Sequence, residues 1–330
     1  MKRIILHVGT HKTGSSTIQE TLFRQRHRLT EAGLHYLSIG ANHWDLYSAF
    51  MDEPWEWFEN RRRGLDRAQV DARNRHTLDV VRAEIENTPC PWVMISAEHL
   101  SMLPSHAIEA LRDWLAPLGE VQVVYFVRQI ESWIASDSQQ CAKVGIRARP
   151  TPYTVAIQRL FDFPVAWLEA FGKRRVSLVR FEDALQTGLT DTLLALAGLP
   201  GLAALGMEEM RFNESISAEA VECFYCLNRI APVGKTGRNE HLVGLLMSMP
   251  GSKYRAAALS QAEVEDHNRK MNRLRARYHL DLYPALHYRG EDDGRAPFSE
   301  DALYYLVNTL NDTMNRLEAL ESQVSERVGP

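Results

Sequence analysis

The segment His7–Leu22, HVGTHKTGSSTIQETL, combines residue types that bind anions. An apolar run ends at Gly9, and a turn rich in glycine, serine and threonine leads into a stretch with helical periodicity. In the usual nucleotide-binding loop, two glycines are five positions apart and a lysine directly follows the second. Gly9 and Gly14 have this separation, but Ser15 occupies the lysine position and Lys12 precedes the second glycine. The loop therefore predicts an anion site whose cation serves a different phosphate chemistry.

Backbone N–H groups of such a turn, with the start of the following helix, form a concave site of positive partial charge. Gly14 permits close approach of an anion, and Lys12 adds a mobile cation. Hydroxyl groups stand at four neighbouring positions: Thr13, Ser15, Ser16 and Thr17. We predict that these side chains and the backbone of the turn bind a phosphate group.

A second cation follows the apolar run VQVVYFV, residues 121–127. A nucleoside triphosphatase needs an acidic residue at the end of a later strand to hold Mg²⁺. This strand ends in Arg128 instead, and Ser136 stands eight residues further on. An arginine and a serine at this spacing can both contact one further phosphate. The pattern favours transfer of an anionic group by protein cations, without a metal ion.

These segments, taken together, resemble the sulfotransferases that use 3′-phosphoadenosine-5′-phosphosulfate (PAPS). HKTGSSTIQ, residues 11–19, resembles the family's PKSGTTWLQ stretch position by position, and the family lysine falls on Lys12. The family's 3′-phosphate motif, an arginine at a strand end with a serine eight residues later, falls on Arg128 and Ser136. VRFEDAL, residues 179–185, resembles the family's strand-ending YEDL. The resemblance covers about residues 1–30 and 92–190.

The candidate catalytic base lies in SAEHLSMLP, residues 96–104. Some members of the family place a catalytic histidine in a THLP stretch after a strand, and His99 falls on that position. Other branches use a glutamate, and Glu98 is adjacent. If the backbone is extended here, the two side chains point to opposite faces, so we expect only one of them to act. His43 is a third candidate, for which a turn or capping role is the alternative.

The resemblance implies a metal-independent, in-line transfer of a sulfuryl group from PAPS to an acceptor hydroxyl, giving PAP and a sulfate ester (an enzyme of the EC 2.8.2 type). By this analogy Lys12 stabilises the leaving oxygen, Ser15, Ser16 and backbone amides hold the 5′-phosphate, and Arg128 and Ser136 hold the 3′-phosphate. Thr17 replaces a tryptophan that often stacks near adenine, which leaves the adenine contact unassigned. Lys235 and Arg238 are further candidates at the 3′-phosphate.

The elements that must position these residues alternate along the chain. Four apolar runs predict strands: residues 3–8, 92–96, 121–127 and 176–181. Helical stretches are predicted between them at 17–32, 68–86, 105–116 and 153–171. This alternation predicts an α/β fold with a P-loop-like central parallel sheet flanked by helices. Ligands of such sheets bind beyond the carboxyl ends of the strands. We expect one α/β domain over residues 1–295 and a separate C-terminal helix over 296–330.

Two segments interrupt the alternation. Residues 42–76 contain three tryptophans and the run Arg61-Arg62-Arg63, and between Asp52 and His76 six arginines are balanced by six acidic residues. We expect an insertion at about 40–80 that shapes the acceptor site; the alternative is a surface helix pair with its tryptophans turned inward. The C-terminal segment has an apolar residue, or Thr313, at alternating steps of three and four: Leu303, Leu306, Leu310, Thr313, Leu317, Leu320 and Val324. It predicts either packing on the chain itself or a homodimer.

Composition limits the class of protein. The chain has 330 residues, is 45% apolar and 24% charged, and carries a net charge of −4. These values are typical of a soluble globular protein and give no reason to expect a nucleic-acid partner. The opening apolar run is too short for a signal peptide and no stretch predicts a membrane span, so we expect a cytoplasmic protein. The pair Cys223 and Cys226 lies in a helical pattern and is expected to pack.

The expected partner is therefore a hydroxyl-bearing small molecule or glycan, and the resemblance is greater to sulfotransferases of bacterial carbohydrates and natural products than to drug-metabolising ones. Two other functions stay open at this point. An atypical P-loop kinase would bind ATP with a metal ion and would not depend on Arg128. A non-catalytic PAP-binding or scaffold protein, assembled through the C-terminal heptads, would bind without turnover.

Overall fold

Five strands form one parallel sheet in the computed structural model. The structure describes residues 1–210, 215–234, 237–290 and 300–328; in the last helix it describes the side chains of residues 303–322. The strands are β1 (Lys2–His7), β2 (Leu34–Tyr36), β3 (Trp92–Ser96), β4 (Gly119–Val127) and β5 (Val176–Arg180). Their order across the sheet is β2-β3-β1-β4-β5. Because β1 pairs with both β3 and β4 in parallel, the chain segments that follow these three strands lie at the same edge.

Helices connect the strands and continue beyond them. The first eight α-helices are α1 (Ser15–Arg24), α2 (Arg26–Glu31), α3 (Trp44–Phe50), α4 (Phe58–Arg62), α5 (Arg67–Asn87), α6 (Ser105–Leu115), α7 (Ile130–Lys143) and α8 (Tyr153–Ile157). The remaining ones are α9 (Phe163–Phe171), α10 (Phe181–Thr187), α11 (Leu189–Leu196), α12 (Ala218–Ile230), α13 (Glu240–Met247), α14 (Gln261–Tyr278) and α15 (Glu300–Val328). Short 3-10 helices lie at Pro54–Glu56, Glu98–Met102, Lys173–Arg175 and Leu202–Leu205, and a π-helical turn at Gln158–Asp162.

The chain divides into two compact units. Unit 1 comprises Met1–Gln129, Ile157–Phe212 and Arg269–Ala285, and it contains the whole sheet. Its core joins the inner faces of β1, β3 and β4 to α1 and α11, with Ile5, Ile18 and Leu193 fully buried. Strands with continuous apolar sequences are typical of parallel sheets that helices cover on both faces.

Unit 2 comprises Ile130–Ala156, Asn213–Asn268 and Leu286–Pro330. Its core is centred on α12, where Phe224 and Leu227 are fully buried. Cys223 and Cys226 are free and buried in this core, in agreement with the packing role expected for them. Burial raises the pKa of the Cys223 thiol to about 11, so it is protonated and unreactive at neutral pH.

The α/β fold with a central parallel sheet and a C-terminal helix is confirmed. All four predicted strands are present, and the predicted helices correspond to α1 with α2, α5, α6 and the stretch from α8 to α9. The sequence missed β2, because three residues are too short for a periodicity. The division into a domain over 1–295 and a separate helix over 296–330 stays a prediction. Among the described residues, no helix has both the length and the apolar character needed to cross a membrane.

Candidate active site

The loop between β1 and α1 is held in place by its threonines. Thr10 Oγ1 donates to the carbonyl oxygen of Phe126 on β4 at 3.2 Å, and Thr13 Oγ1 donates to the carbonyl oxygen of Thr10 at 2.5 Å. Both threonines are fully buried. The hydroxyl hydrogen of Thr13, predicted as a phosphate donor, is therefore used to fix the turn, and its backbone N–H remains the group that can face an anion.

Two glycines make this loop sterically possible. A Cβ on Gly9 would lie 2.6 Å from Nε2 of His7. Gly14 has φ of 75°, and a Cβ there would lie 2.3 Å from Cδ1 of Leu189. The spacing of the two glycines, which first indicated an anion loop, thus corresponds to two positions where a side chain does not fit.

Lys12 also has a left-handed backbone, with φ of 69°. This conformation costs a non-glycine residue about 1–2 kcal/mol relative to a right-handed one. A glycine at this position would avoid that cost. The side chain is half-buried, at the turn that leads into α1.

The first turn of α1 offers unpaired donors. The first N–H groups of a helix have no acceptor within it, and Gly14 as N-cap supplies no side-chain cap. No acidic residue lies in this turn. Ser15 Oγ is buried, with the residue 3% exposed, and has no hydrogen-bond partner among the described residues. Ser16 is exposed and Thr17 is half-buried on the same turn. An anion at this helix start would satisfy several donors at once.

Arg128 contacts the same loop from the end of β4. Its Nη1 donates to the carbonyl oxygen of Lys12 at 2.7 Å, and its guanidinium lies 4.8 Å above the ring of Phe181. Its buried Nε has no hydrogen-bond partner in the described part of the chain. Burial lowers the pKa of Arg128, whereas Glu182 and Tyr283 raise it; arginine nonetheless stays protonated at neutral pH.

A carboxylate network supports the position of Arg128. Glu182 Oε1 accepts from the backbone N–H of Gln129 at 3.0 Å, and Glu182 Oε2 accepts from the hydroxyl of Tyr283 at 2.6 Å. Glu182 is the glutamate of the VRFEDAL stretch, so this motif has a positioning role in the structure. The contribution of Tyr283 was not predicted, because nothing in the sequence connects it to β4.

Ser136, the predicted partner of Arg128, lies in α7 of unit 2 and is partly exposed. Arg128 belongs to unit 1, and the shared phosphate contact stays a prediction. Of the further candidates, Lys235 lies outside the described residues. Arg238 donates from Nη1 to Asn228 Oδ1 at 2.9 Å and to the carbonyl oxygen of Ala231 at 3.0 Å, within unit 2.

Glu98 and His99 lie together with His11 rather than on opposite faces. The segment Glu98–Met102 is a 3-10 helix, so the extended backbone that would separate the two side chains is not present. One ligand-type atom from each of His11, Glu98 and His99 lies within 4.8 Å of the others. The reason for expecting only one of the pair to act therefore no longer applies. His11 was missed as a member because the sequence places it 87 positions before Glu98.

His99 is almost buried, at 8% exposure, and its Nδ1 has no hydrogen-bond partner among the described residues. The pKa of the imidazole is lowered to about 4, mainly by burial and also by His11, against an opposing effect of Glu98. The ring is therefore neutral at pH 7 and can accept a proton or bind a cation.

Aromatic rings from the segment 42–76 surround His99. The ring centroids lie at the following distances from that of His99: Trp44 at 5.0 Å, Tyr47 at 5.8 Å, Trp57 at 6.1 Å and Phe58 at 6.4 Å. Phe58 is 54% exposed, whereas Trp57 is buried. The tryptophan content of this segment was the signal in the sequence, but the sequence did not indicate that the rings face His99.

The arginines of this segment are mostly neutralised by neighbouring carboxylates. Arg63 and Arg73 contact Asp45 at 3.1 and 2.6 Å, and Arg62 contacts Glu59 at 2.8 Å. The segment thus presents aromatic rather than basic character to the site.

Two other histidines, His7 and His43, are buried and contact Ser96 at the end of β3. His7 Nδ1 is 2.8 Å from Ser96 Oγ, and His43 Nδ1 accepts from the backbone N–H of Ser96 at 3.0 Å. Both are fully buried, which lowers the pKa of His7 to about 3 and that of His43 to about 4. Because the Nδ1 lone pair of His43 is occupied, this residue ties its loop to the end of β3.

Comparison with known proteins gives little beyond these observations. No protein-family profile matches the chain, and no curated protein sequence does. Among solved structures, a sulfotransferase from Alicyclobacillus acidocaldarius matches with a TM-score of 0.42 and 15% identity, over 86% of this chain and 98% of that one. The sulfotransferase domain from the curacin biosynthetic pathway matches with a TM-score of 0.35 and 18% identity, over 62% and 77%. Overlaps this weak carry no argument about activity.

Proposed function

We propose that this protein is a PAPS-dependent sulfotransferase that sulfates a hydroxyl of a carbohydrate or natural product, in the cytoplasm. The observation that carries the proposal is the hydrogen bond from Arg128 to the carbonyl oxygen of Lys12. This bond brings the cation of one predicted donor-binding motif to the backbone of the other, although the two motifs are far apart in sequence. The resemblance of these motifs to the sulfotransferase family supplies the identity of the donor.

The loop between β1 and α1 binds the 5′-phosphosulfate of the donor. The first N–H groups of α1 and the unpartnered hydroxyl of Ser15 donate to its oxygens. Arg128 binds the 3′-phosphate, which distinguishes PAPS from ATP. Glu182, bonded to the backbone N–H of Gln129 and to the hydroxyl of Tyr283, fixes the backbone next to Arg128.

The transfer forms a bond from the acceptor oxygen to sulfur and breaks the bond from sulfur to the bridging phosphate oxygen. The departing PAP gains negative charge on that oxygen, and Lys12 stabilises it. The left-handed backbone of Lys12 supports this role, since the position would otherwise favour glycine. The chain's residues supply positioning and charge stabilisation, as is typical of related phosphoryl transfers.

The proton of the acceptor hydroxyl passes to Glu98 or His99. Both belong to the cluster with His11, and His99 is neutral at pH 7. The aromatic rings of Trp44, Tyr47 and Phe58 pack around His99 of this cluster. Rings of this kind pack against sugar faces and apolar acceptors, so the segment 42–76 forms the acceptor pocket in this proposal.

The proposal is tested by incubating the protein with PAPS and a panel of glycan and phenolic acceptors in the presence of EDTA. We expect stoichiometric PAP and a product heavier by one sulfuryl group, detected by mass spectrometry. Turnover of ATP that strictly requires Mg²⁺, with none from PAPS, would contradict it.

A further inference from the structure

Three potential metal ligands meet beside the candidate active site. His11 comes from the loop after β1, whereas Glu98 and His99 come from the 3-10 helix after β3. One donor atom of each lies within 4.8 Å of the other two. The rings of His11 and His99 are 4.9 Å apart between centroids and nearly perpendicular, at 74°.

The donor set indicates the kind of ion. Two imidazoles and one carboxylate form a catalytic type of zinc site, with three protein ligands and an open position, whereas Mg²⁺ and Ca²⁺ prefer oxygen ligands alone. At the usual zinc–ligand bond lengths, tetrahedral donor atoms are about 3.3 Å apart. Rotation of the partly exposed Glu98 side chain can close the remaining distance.

The surroundings of the cluster also fit an ion. The rings of Trp44 and Trp57 pack against His99 and restrict its orientation and the access of water, as the apolar shell of a metal site does. The charges near His99 are mixed: Glu98 and Glu59 favour a cation and Arg159 opposes it.

We propose that His11, Glu98 and His99 bind one Zn²⁺ ion and that this binding inhibits the enzyme. The ion occupies the lone pairs with which Glu98 or His99 takes the proton of the acceptor. The inhibitory consequence rests on the proposed sulfotransferase function, whereas the binding of the ion does not.

The binding is tested on the full chain after treatment with EDTA and desalting, without any nucleotide. Zn²⁺ is titrated in competition with a chromophoric chelator, and Co²⁺ is used in parallel to detect ligand-field absorption in the visible range. We expect one ion per chain and a loss of affinity of at least about 10-fold in His11→Gln and in His99→Gln. His106→Gln, which removes a surface histidine paired with Asp52, is the matched control and should bind as the wild type does.

Stoichiometry well below one, or unchanged affinity in folded His11→Gln and His99→Gln, would overturn the site. Circular dichroism melting checks the fold of each variant, and His11→Gln alone is sufficient if His99→Gln does not fold.

A second measurement separates this inference from the proposed function. Sulfuryl transfer should fall in parallel with zinc occupancy and recover with EDTA. If zinc binds at this cluster but the protein does not turn over PAPS under any condition, the proposed sulfotransferase function is contradicted and the zinc site is still supported. Turnover that zinc leaves unchanged at full occupancy would overturn the inhibition.

Discussion

Arg128 Nη1 donates to the carbonyl oxygen of Lys12 at 2.7 Å, across 116 positions of sequence. The bond joins the end of β4 to the turn after β1, the two places where the sequence predicts donor-binding cations. Lys12 holds a left-handed backbone at this point, and its carbonyl is available to Arg128 in that conformation. The guanidinium of Arg128 is therefore fixed against the backbone of the loop that carries Lys12.

The ammonium group of Lys12 should contribute to catalysis more than to binding. We expect Lys12→Ala to lower kcat by about 10²–10³-fold, the usual cost of removing one donor to developing negative charge. The affinity for PAP should change much less, because backbone N–H groups and Arg128 still bind it. Steady-state kinetics with calorimetry of PAP checks this, and Lys173→Ala on the surface is the control. Equal losses of kcat and PAP affinity would contradict the role at the leaving oxygen.

The choice between Glu98 and His99 as the base can be resolved by substitution and pH. Removal of the base should lower kcat by about 10²–10⁴-fold, measured in EDTA for Glu98→Gln and His99→Gln. If His99 is the base, activity requires its neutral ring and is lost only as the pH falls through about 4, since burial lowers its pKa to that value. An acid limb near pH 6.5 would contradict a buried His99 base, and near-normal kcat in both variants would exclude the pair.

Buried histidines should make unit 1 less stable in mild acid. The pKa of His7 is about 3 and that of His43 and His99 about 4 in the folded protein, against about 6.5 when unfolded. Below pH 6.5 the unfolded chain binds protons that the folded chain does not, so stability is highest above pH 6.5 and falls as the pH drops. Each histidine lowers the free energy of unfolding by at most about 1.4 kcal/mol for each pH unit below 6.5.

Urea unfolding between pH 6.5 and 5.0 measures this slope. His43→Asn keeps an oxygen that can accept from the N–H of Ser96 and removes one titrating ring. We expect a shallower slope in this variant than in the wild type. The same slope in both would show that His43 does not titrate in the way its burial predicts.

The C-terminal helix leaves most of its predicted seam exposed. Among the described side chains of α15, Leu303 of the seam is buried in unit 2 together with Val307 and Asn311, whereas four other members of the seam are between 42% and 56% exposed: Leu306, Leu310, Leu317 and Leu320. We propose that this seam pairs with a second copy of the chain.

Light scattering after gel filtration tests the pairing. The wild type should be a dimer, and the double variant Leu310→Glu with Leu317→Glu should be a monomer. Tyr305→Glu, at an exposed position off the seam, should remain a dimer. A wild-type monomer at all concentrations would remove the proposal.

The sheet and the loop after β1 could be predicted because their signals are local. Continuous apolar runs indicate strands that are buried on both faces. Gly9 and Gly14, whose spacing indicated an anion-binding loop, are two positions without room for a side chain. The seam of α15 shows the limit of periodicity: steps of three and four were correctly assigned to a helix, yet the face buried in unit 2 is the neighbouring one with Val307 and Asn311. Periodicity does not say which apolar face meets the chain's own core.

The composition of the site was harder to predict because its contacts join distant segments. Nothing in the sequence relates His11 to His99, or the aromatic residues of the segment 42–76 to either of them. Glu98 and His99 would point to opposite faces if the backbone were extended, but the segment is a 3-10 helix and brings both into one cluster. Local sequence indicates which residue types are present, whereas the folded sheet edge decides which of them meet.

The most direct test of a PAPS site at Lys12 and Arg128 is calorimetric titration of PAP, AMP and ATP without metal, on the wild type and on Arg128→Ala. We predict that PAP binds most tightly and that Arg128→Ala loses about 2 kcal/mol or more of PAP binding while AMP binding changes little. Arg174→Ala, which removes an exposed arginine elsewhere in unit 1, is the matched control. Equal affinity of the wild type for AMP and PAP would contradict the assignment of the 3′-phosphate to Arg128.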